Sequence, residues 1–86
     1  MVRYLKTKWG NDAVKQFVVT TNKGDSYFIS YNVIVARRTK GKITLDRYYW
    51  DYSATTKLYL SQFLRHDIPT IRKMIANKEI KLAKLN

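Results

Sequence analysis

The chain has 86 residues, a length that fits one small domain over residues 1–86 with a single hydrophobic core. It contains no cysteine and no apolar run near the ~20 residues of a membrane-spanning helix, which excludes disulfides, thiolate metal sites and a helical membrane span. Its 17 Lys and Arg residues against six Asp and Glu give a formal net charge of +11, and an excess of this size predicts a polyanionic partner.

The first two thirds of the chain have the composition of strands separated by short turns. A short strand is predicted from Val2 to Trp9, and another from Gln16 to Thr21, where β-branched and aromatic residues favour a pleated surface. A longer strand is predicted from Ser26 to Arg37, and a further one from Ile43 to Trp50. Because short turns join these segments, neighbouring strands must be antiparallel and form a meander.

The last third of the chain predicts two helices. Ser53 is a good N-cap for the first, since apolar residues recur behind it at helical spacing. Asp67 is a second candidate N-cap, because Pro69 is tolerated in a first turn, where no amide hydrogen is needed. The second helix ends near Asn77, and residues 79–86 fit either a continued helix or a final strand. The expected fold is α+β, an antiparallel three- to four-stranded β-meander packed against two C-terminal helices.

The densest cluster of cations lies on one predicted hairpin. Its members are Arg37, Arg38, Lys40, Lys42 and Arg47. A hairpin with these charges can lie along a nucleic-acid backbone, with its strands as a rigid frame. The same residues also suit a solvated hairpin tip, where lysines discourage edge-to-edge pairing of sheets. The sequence leaves both interpretations open.

An aromatic segment, residues 47–52, follows directly after this cluster. Aromatic rings beside cations suit single-stranded nucleic acid, because bases stack on the rings and phosphates pair with the charges. Alternation along a strand sends about half of these side chains inward, and we expect Trp50 to belong to the core. Tyr48 or Tyr49, whichever faces outward, is a candidate for stacking.

A second group of cations follows the last predicted helix and the residues after it. Its members are Arg72, Lys73, Lys78, Lys81 and Lys84. A solvated helix face accounts for such a pattern. The two predicted helices and their tight His66–Asp67 connection also resemble, loosely, a helix-turn-helix, in which Arg72 and Lys73 would face a DNA groove. These two residues are therefore secondary candidates for nucleic-acid binding.

The sequence offers little for catalysis. His66 is the only histidine, and no carboxylate-and-nucleophile pattern accompanies it. Asp46 and Asp51 are five residues apart, which places them on opposite faces of a strand. There is no Gly-rich phosphate loop and no metal-ligand spacing. We therefore expect no enzyme activity, no metal and no cofactor.

Two motifs connect the predicted strands with the first helix. Ser30 to Ala36 has the pattern S-Y-x(4)-A, and Trp50 to Leu60 has the pattern W-x-Y-S-x-T-T-x-x-Y-[IL]. Together with Phe63 and Leu64, they resemble a group of small uncharacterised phage-encoded proteins, over about Phe17 to Leu64. The resemblance implies a phage origin and a location in the cytoplasm of a bacterial host cell. It implies no shared activity.

These observations predict a phage-type nucleic-acid-binding protein with weak sequence specificity, which acts by binding and not by catalysis. DNA or RNA is the expected partner, held by the hairpin from Arg37 to Arg47 with Tyr48 or Tyr49 stacking on bases. The alternative is a phage inhibitor of a host defence protein, of the anti-CRISPR kind, docked on a host protein that handles nucleic acid. No membrane partner is expected, and exposed sheet edges allow a homodimer.

Overall fold

The chain folds into six strands and two helices in the computed structural model, which describes residues 1–86. The strands are β1 (Val2–Lys6), β2 (Asp12–Thr20), β3 (Ser26–Ser30), β4 (Val33–Thr39), β5 (Lys42–Asp46) and β6 (Ile80–Ala83). The helices α1 (Ala54–Leu64) and α2 (Ile68–Ala76) follow one another between β5 and β6. The predicted α+β class is confirmed.

All six strands form one sheet in chain order, from β1 at one edge to β6 at the other. The first five are antiparallel neighbours, so the predicted meander is confirmed. β6 is parallel to β5, because α1 and α2 return the chain to the starting end of β5 before β6 begins. The sheet is therefore mixed, and it has more strands than the three or four predicted.

The strand predicted from Ser26 to Arg37 is in fact two strands joined by a tight turn. Tyr31 and Asn32 have φ angles of +49° and +66°, and Ser30 pairs with Val33 on either side of them. Positive φ at both central residues is what a type I′ hairpin turn requires. Asn adopts this conformation readily, but a bulky residue such as Tyr31 seldom does. The run of β-branched and aromatic residues, with no glycine, concealed the turn.

Other predicted element ends also differ from the structure. β1 ends at Lys6 instead of Trp9, and β5 ends at Asp46 instead of Trp50, because residues 47–52 form consecutive turns. Residues 79–86, which the sequence left open between helix and strand, contain β6.

Both predicted helix N-caps are confirmed. Ser53 Oγ accepts a hydrogen bond from the Thr56 amide at 3.1 Å, and Asp67 Oδ1 accepts one from the Thr70 amide at 2.8 Å. Hydrogen bonds from the Thr70 side chain and amide hold the pKa of the Asp67 carboxyl below its ordinary value. The caps satisfy amides that the first turn of a helix leaves without partners. Neither helix is long and apolar enough to span a membrane.

The hydrophobic core lies between the two helices and one face of the sheet. Phe28 and Leu45 of the sheet and Leu60 and Ile71 of the helices have no exposed surface. The Phe28 ring also stacks on a phenylalanine of α1 with its centroid 5.8 Å away. Trp50 is only 7% exposed, so its predicted place in the core is confirmed.

The opposite face of the sheet carries no helix. Because successive strand residues point to opposite sides, this face holds the neighbours of the core residues. We call it the open face and define it by these side chains: Val2, Tyr4, Phe17, Val19, Tyr27, Ile29, Ile34, Arg37, Thr39, Lys42, Thr44 and Lys81.

Candidate nucleic-acid interface

The open face contains one row of paired residues that crosses the whole sheet. From β1 to β6 it consists of Val2, Val19, Tyr27, Arg37, Thr44 and Lys81. Paired residues of neighbouring strands lie about 5 Å apart and side by side. The row therefore changes from apolar side chains on β1 and β2 to cations on β4 and β6, with Tyr27 and Arg37 in contact range at the change.

The apolar half of the open face presents aromatic rings. Tyr4 and Phe17 are cross-strand partners, and their ring centroids lie 5.9 Å apart in an edge-to-face arrangement. Tyr4 is 43% exposed, while Phe17 and Tyr27 are half-buried by their neighbours. A flat sheet surface with rings standing on it is a platform on which bases can stack.

The basic half of the open face borders a shallow depression of about 620 Å³. Four cations line it: Arg37, Lys40, Lys42 and Lys81. Tyr27 and the Asp25 carboxyl belong to the same lining, but no salt bridge joins Asp25 to any of the four. The only salt bridge in the protein is between Lys6 and Asp12. The four positive charges are therefore free to pair with phosphates.

Comparison with family models matches residues 5–81 to a family of unknown function, DUF8033. The chain belongs to DUF8033. The matched range includes both helices and all of β2 to β5, so it covers nearly the whole open face. No curated protein and no solved structure matches the chain.

Arg38 of this DUF8033 protein lies away from the open face. Its guanidinium Nη2 donates a hydrogen bond to the Phe63 carbonyl at 3.1 Å, and its guanidinium carbon lies 4.9 Å from the centre of the Phe63 ring. Arg37 and Arg38 are neighbours in β4, so they must point to opposite faces. The structure therefore separates Arg38 from Arg37, and Arg38 joins β4 to α1.

Arg47, Tyr48 and Tyr49 lie at the other end of β5 from the depression. Lys42 and Asp46 are already four strand residues apart, about 13 Å at ~3.3 Å per residue, and these three follow Asp46. Tyr48 is 65% exposed, and Tyr49 is half-buried with its ring 5.8 Å from that of Tyr52. The stacking tyrosines that the sequence indicated are thus separated from the hairpin cations, and the ring beside Arg37 is that of Tyr27 in β3.

The Asp46 carboxylate explains why the chain turns away after β5. It is 1% exposed and accepts hydrogen bonds from the amides of Tyr48 and Tyr49, both at 3.1 Å, from the Leu85 amide at 2.7 Å and from the Asn86 side chain at 3.2 Å. Burial raises the pKa of Asp46, but these hydrogen bonds outweigh it and hold the pKa below its ordinary value. Asp46 is therefore a structural anion.

Asn86 completes this junction at the edge of β4. Its Oδ1 accepts a hydrogen bond from the Ile34 amide and its Nδ2 donates one to the Ile34 carbonyl, both at 2.9 Å. The side-chain amide thus bonds the β4 backbone in the way a neighbouring strand would, at a point that β5 does not reach. Asn86 carries no signal of this role in the sequence, because an asparagine two residues after a lysine forms no recognisable pattern.

Arg72 and Lys73 lie in the helical layer, on the other side of the sheet from the open face. The Arg72 guanidinium carbon is 5.1 Å from the centre of the Trp50 ring, so this cation covers the buried indole. Lys73 is exposed in the last turn of α2, where a cation interacts favourably with the helix dipole. Both positions have structural explanations that do not involve a ligand.

Proposed function

We propose that this protein binds single-stranded nucleic acid on the open face of its sheet, with weak sequence specificity and without catalysis. The observation that carries the proposal is the row of paired residues in which Tyr27 stands beside Arg37. Aromatic rings and unpaired cations thus occur on one continuous, uncovered surface. A single strand displays the two things that such a surface binds, flat bases and phosphates.

Stacking on the rings favours a single strand over a duplex. Each base that stacks on an aromatic side chain contributes about 1–3 kcal/mol, and every base has a flat face, so the interaction depends little on sequence. The bases of a duplex are stacked on one another and are not available to Tyr4, Phe17 or Tyr27. We therefore expect tighter binding of single strands than of duplexes of equal length.

The four cations of the depression contribute the electrostatic part of the affinity. If Arg37, Lys40, Lys42 and Lys81 each neutralise one phosphate, log K falls with log salt concentration with a slope of about −3 for a single strand. The net charge of +11 adds a long-range attraction that brings any nucleic acid to the protein.

The test is fluorescence anisotropy with a labelled oligothymidine and a labelled duplex, measured over a range of salt concentrations. The variant R37A/K42A removes two cations from the open face, and K57A/K73A is its matched control with the same loss of charge. Lys57 belongs to α1 and Lys73 to α2, in the layer on the other side of the sheet. The expected result is a loss of about tenfold or more in affinity for R37A/K42A and a much smaller loss for the control.

Equal losses in the two variants would show that the charge acts without a defined site. A preference for the duplex, or an affinity that does not change with salt, would also count against the open face as a binding surface for single strands.

The phage origin and the cytoplasm of a bacterial host are part of the same proposal. They are supported by the motifs at Ser30 to Ala36 and Trp50 to Leu60. In an infected cell, a small basic protein of this kind would meet single-stranded DNA and RNA in the same compartment.

Docking on a host protein is a second candidate function, and one observation favours it. Trp9 and Leu58 are 77% and 63% exposed, although both are large and apolar. Trp9 follows β1, the edge strand of the sheet, and tryptophan is enriched among the residues that dominate protein interfaces. This function predicts a stoichiometric complex from bacterial lysate that survives nuclease treatment and is lost in W9A. The nucleic-acid proposal predicts that nuclease removes the bound material.

A further inference from the structure

A small pocket lies where the β3–β4 turn meets the start of α1. Three tyrosines line it, Tyr31 from the turn and Tyr49 and Tyr52 from the segment after β5, together with two valines of β4 and the hydroxyls of Ser30 and Thr56. Its volume is about 200 Å³. Drug-sized ligands occupy pockets of roughly 300–1,000 Å³, so this one is suited to a single small ring system.

One hydroxyl group in this pocket has no hydrogen-bond acceptor within the protein. Ser53 Oγ accepts from the Thr56 amide and donates to Thr56 Oγ1 at 3.1 Å. Thr56 Oγ1 and Ser30 Oγ share one hydrogen bond at 3.2 Å, which uses the proton of either residue. The other proton of the pair has no protein acceptor, although Ser30 and Thr56 are each only 3% exposed. A buried donor is thus left for a ligand.

A second polar atom without a partner lies next to this pair. Gln16 is the cross-strand partner of Ser30, it is 3% exposed, and its Oε1 accepts no hydrogen bond. It lines the adjoining depression, which shares Tyr31 with the pocket. Native proteins leave few such atoms, because each costs desolvation free energy without a compensating bond. These polar atoms around Tyr31 are therefore available to a ligand.

We propose that this pocket binds one unstacked nucleobase, between the tyrosine rings and with its polar edge toward Ser30 and Thr56. A base has the required flat shape, and its edge carries the acceptors that the free hydroxyl proton needs. The tyrosine rings offer stacking surfaces, and Tyr31 and Tyr52 are 53% and 73% exposed, so they can move toward a ligand at little cost. The inference rests on the nucleic-acid binding proposed for the open face.

The pocket lies on the helix side of the sheet, at the end of β4 next to the β3–β4 turn. Val33 lines the pocket, and its neighbour Ile34, which points to the other side, ends the second row of the open face, Tyr4, Phe17, Ile29, Ile34. A nucleic-acid strand that lies along β4 covers about 13 Å from Arg37 to Val33, because β4 rises ~3.3 Å per residue. A base at that end of the strand can leave the sheet surface and enter the pocket.

Two sources can supply the base, a bound strand or a free nucleotide, and NMR distinguishes them. We would follow the amide signals of Ser30, Val33 and Thr56 in ¹H–¹⁵N spectra during titration with AMP, GMP, CMP and UMP, and in parallel with oligothymidine. Ribose 5-phosphate, which has no base, is the control ligand. The expected result is that at least one nucleotide shifts these amides and that ribose 5-phosphate does not.

The decisive variant is Y31N, because it removes a pocket ring without harming the fold. Tyr31 has φ +49°, a conformation that asparagine adopts more readily, so the turn is retained. Y31N is expected to abolish the nucleotide-induced shifts and to weaken oligothymidine binding about fivefold, the lower end of what one stacked base contributes. S30A tests the hydroxyl pair in the same way, and K57A/K73A should leave the nucleotide-induced shifts unchanged.

The outcomes separate this inference from the proposed function. The pocket is supported if a nucleotide shifts these amides in wild type and in R37A/K42A but not in Y31N. This result stands even if R37A/K42A retains full oligonucleotide affinity, which would overturn only the open face. Shifts with oligothymidine alone support the pocket as a site for a base of a bound strand. If no nucleotide and no oligonucleotide shifts these amides, or if ribose 5-phosphate shifts them equally, the pocket does not bind a base and the inference is wrong.

Discussion

Two neighbouring rows of residues cross this sheet one position apart. One row is buried under the helices, and the other lies on the open face. The row under the helices runs from Arg3 through Val18, Phe28, Ala36 and Leu45 to Leu82, and its four central members are at most 2% exposed. The row on the open face consists of the residues next to these in sequence, with Tyr27 and Arg37 at its centre. One row supplies stability, and the other is available for binding.

Adjacent residues of one strand thus have different roles, because they lie on different sides of the sheet. Phe28 fills the core and Tyr27 does not, although both are aromatic. Arg38 bonds to α1 and Arg37 does not, although both are arginines. Substitutions in such pairs keep composition and position nearly constant, so they measure the effect of the face alone.

The largest difference is expected between Phe28 and Tyr27. F28A removes a ring with no exposed surface that stacks on Phe63, so we expect the free energy of unfolding to fall by about 3–5 kcal/mol. Y27T replaces the tyrosine of the open face with a β-branched residue, which strands also favour, and should cost less than about 1 kcal/mol. Urea denaturation followed by circular dichroism measures both. Similar losses in the two variants would mean that the open face is as much a part of the core as the covered one.

Asp46, the buried last residue of β5, has a structural role. D46N replaces the anion that four donors share, and we expect a loss of about 1–3 kcal/mol in the free energy of unfolding at pH 7. The folded pKa is lowered, so the stabilisation is complete above the unfolded pKa of about 4 and is lost as pH falls through the folded value.

Urea denaturation of wild type and D46N between pH 7 and pH 2 tests this dependence. The stability difference between the two proteins should shrink as the pH falls below about 4. D51N is a suitable control, because it removes an exposed carboxylate that forms no salt bridge. A stability difference that is the same at pH 7 and pH 2 would contradict the role of the Asp46 charge.

Arg38 and Arg37 form the most closely matched pair, because each substitution removes one positive charge from β4. R38A breaks the hydrogen bond to the Phe63 carbonyl and uncovers the ring, so we expect a loss of about 1–2 kcal/mol in stability and little change in oligonucleotide affinity. R37A should do the reverse, with a stability change within about 0.5 kcal/mol and a several-fold loss of affinity. Urea denaturation and fluorescence anisotropy of the two variants test this prediction. If R37A and R38A bind the oligonucleotide with equal affinity, Arg37 does not belong to the interface.

Y31N in the β3–β4 turn is the one substitution that we expect to leave stability unchanged or to raise it. The substitution relieves a positive φ at a bulky residue, so the free energy of unfolding should stay the same or rise by up to about 1 kcal/mol. Thermal unfolding measures the change. A clear loss of stability would show that the Tyr31 ring supports the turn, and would weaken its use as a probe of the pocket.

The α+β class, the meander, both helix caps and the buried position of Trp50 could be predicted from the sequence. These depend on local chemistry: turn residues, hydroxyl or carboxylate caps, and the spacing of apolar side chains, all of which act within a few residues. The turn at Tyr31 and Asn32 was not predicted, because its residues have the composition of a strand. β6 was not predicted with certainty, because its four residues become a strand only when α1 and α2 bring them beside β5.

Which cations share a surface depends on the tertiary fold and could not be predicted from the sequence. Arg37 and Arg38 are adjacent in sequence, but the pleat separates them and the helices cover one of them. Lys81 is 39 residues from Lys42, yet both line one depression, because a parallel strand closes the sheet. The physical reason is that the face on which a strand residue lies is set by which side the helices cover, and that depends on packing across the whole chain rather than on the neighbours in sequence.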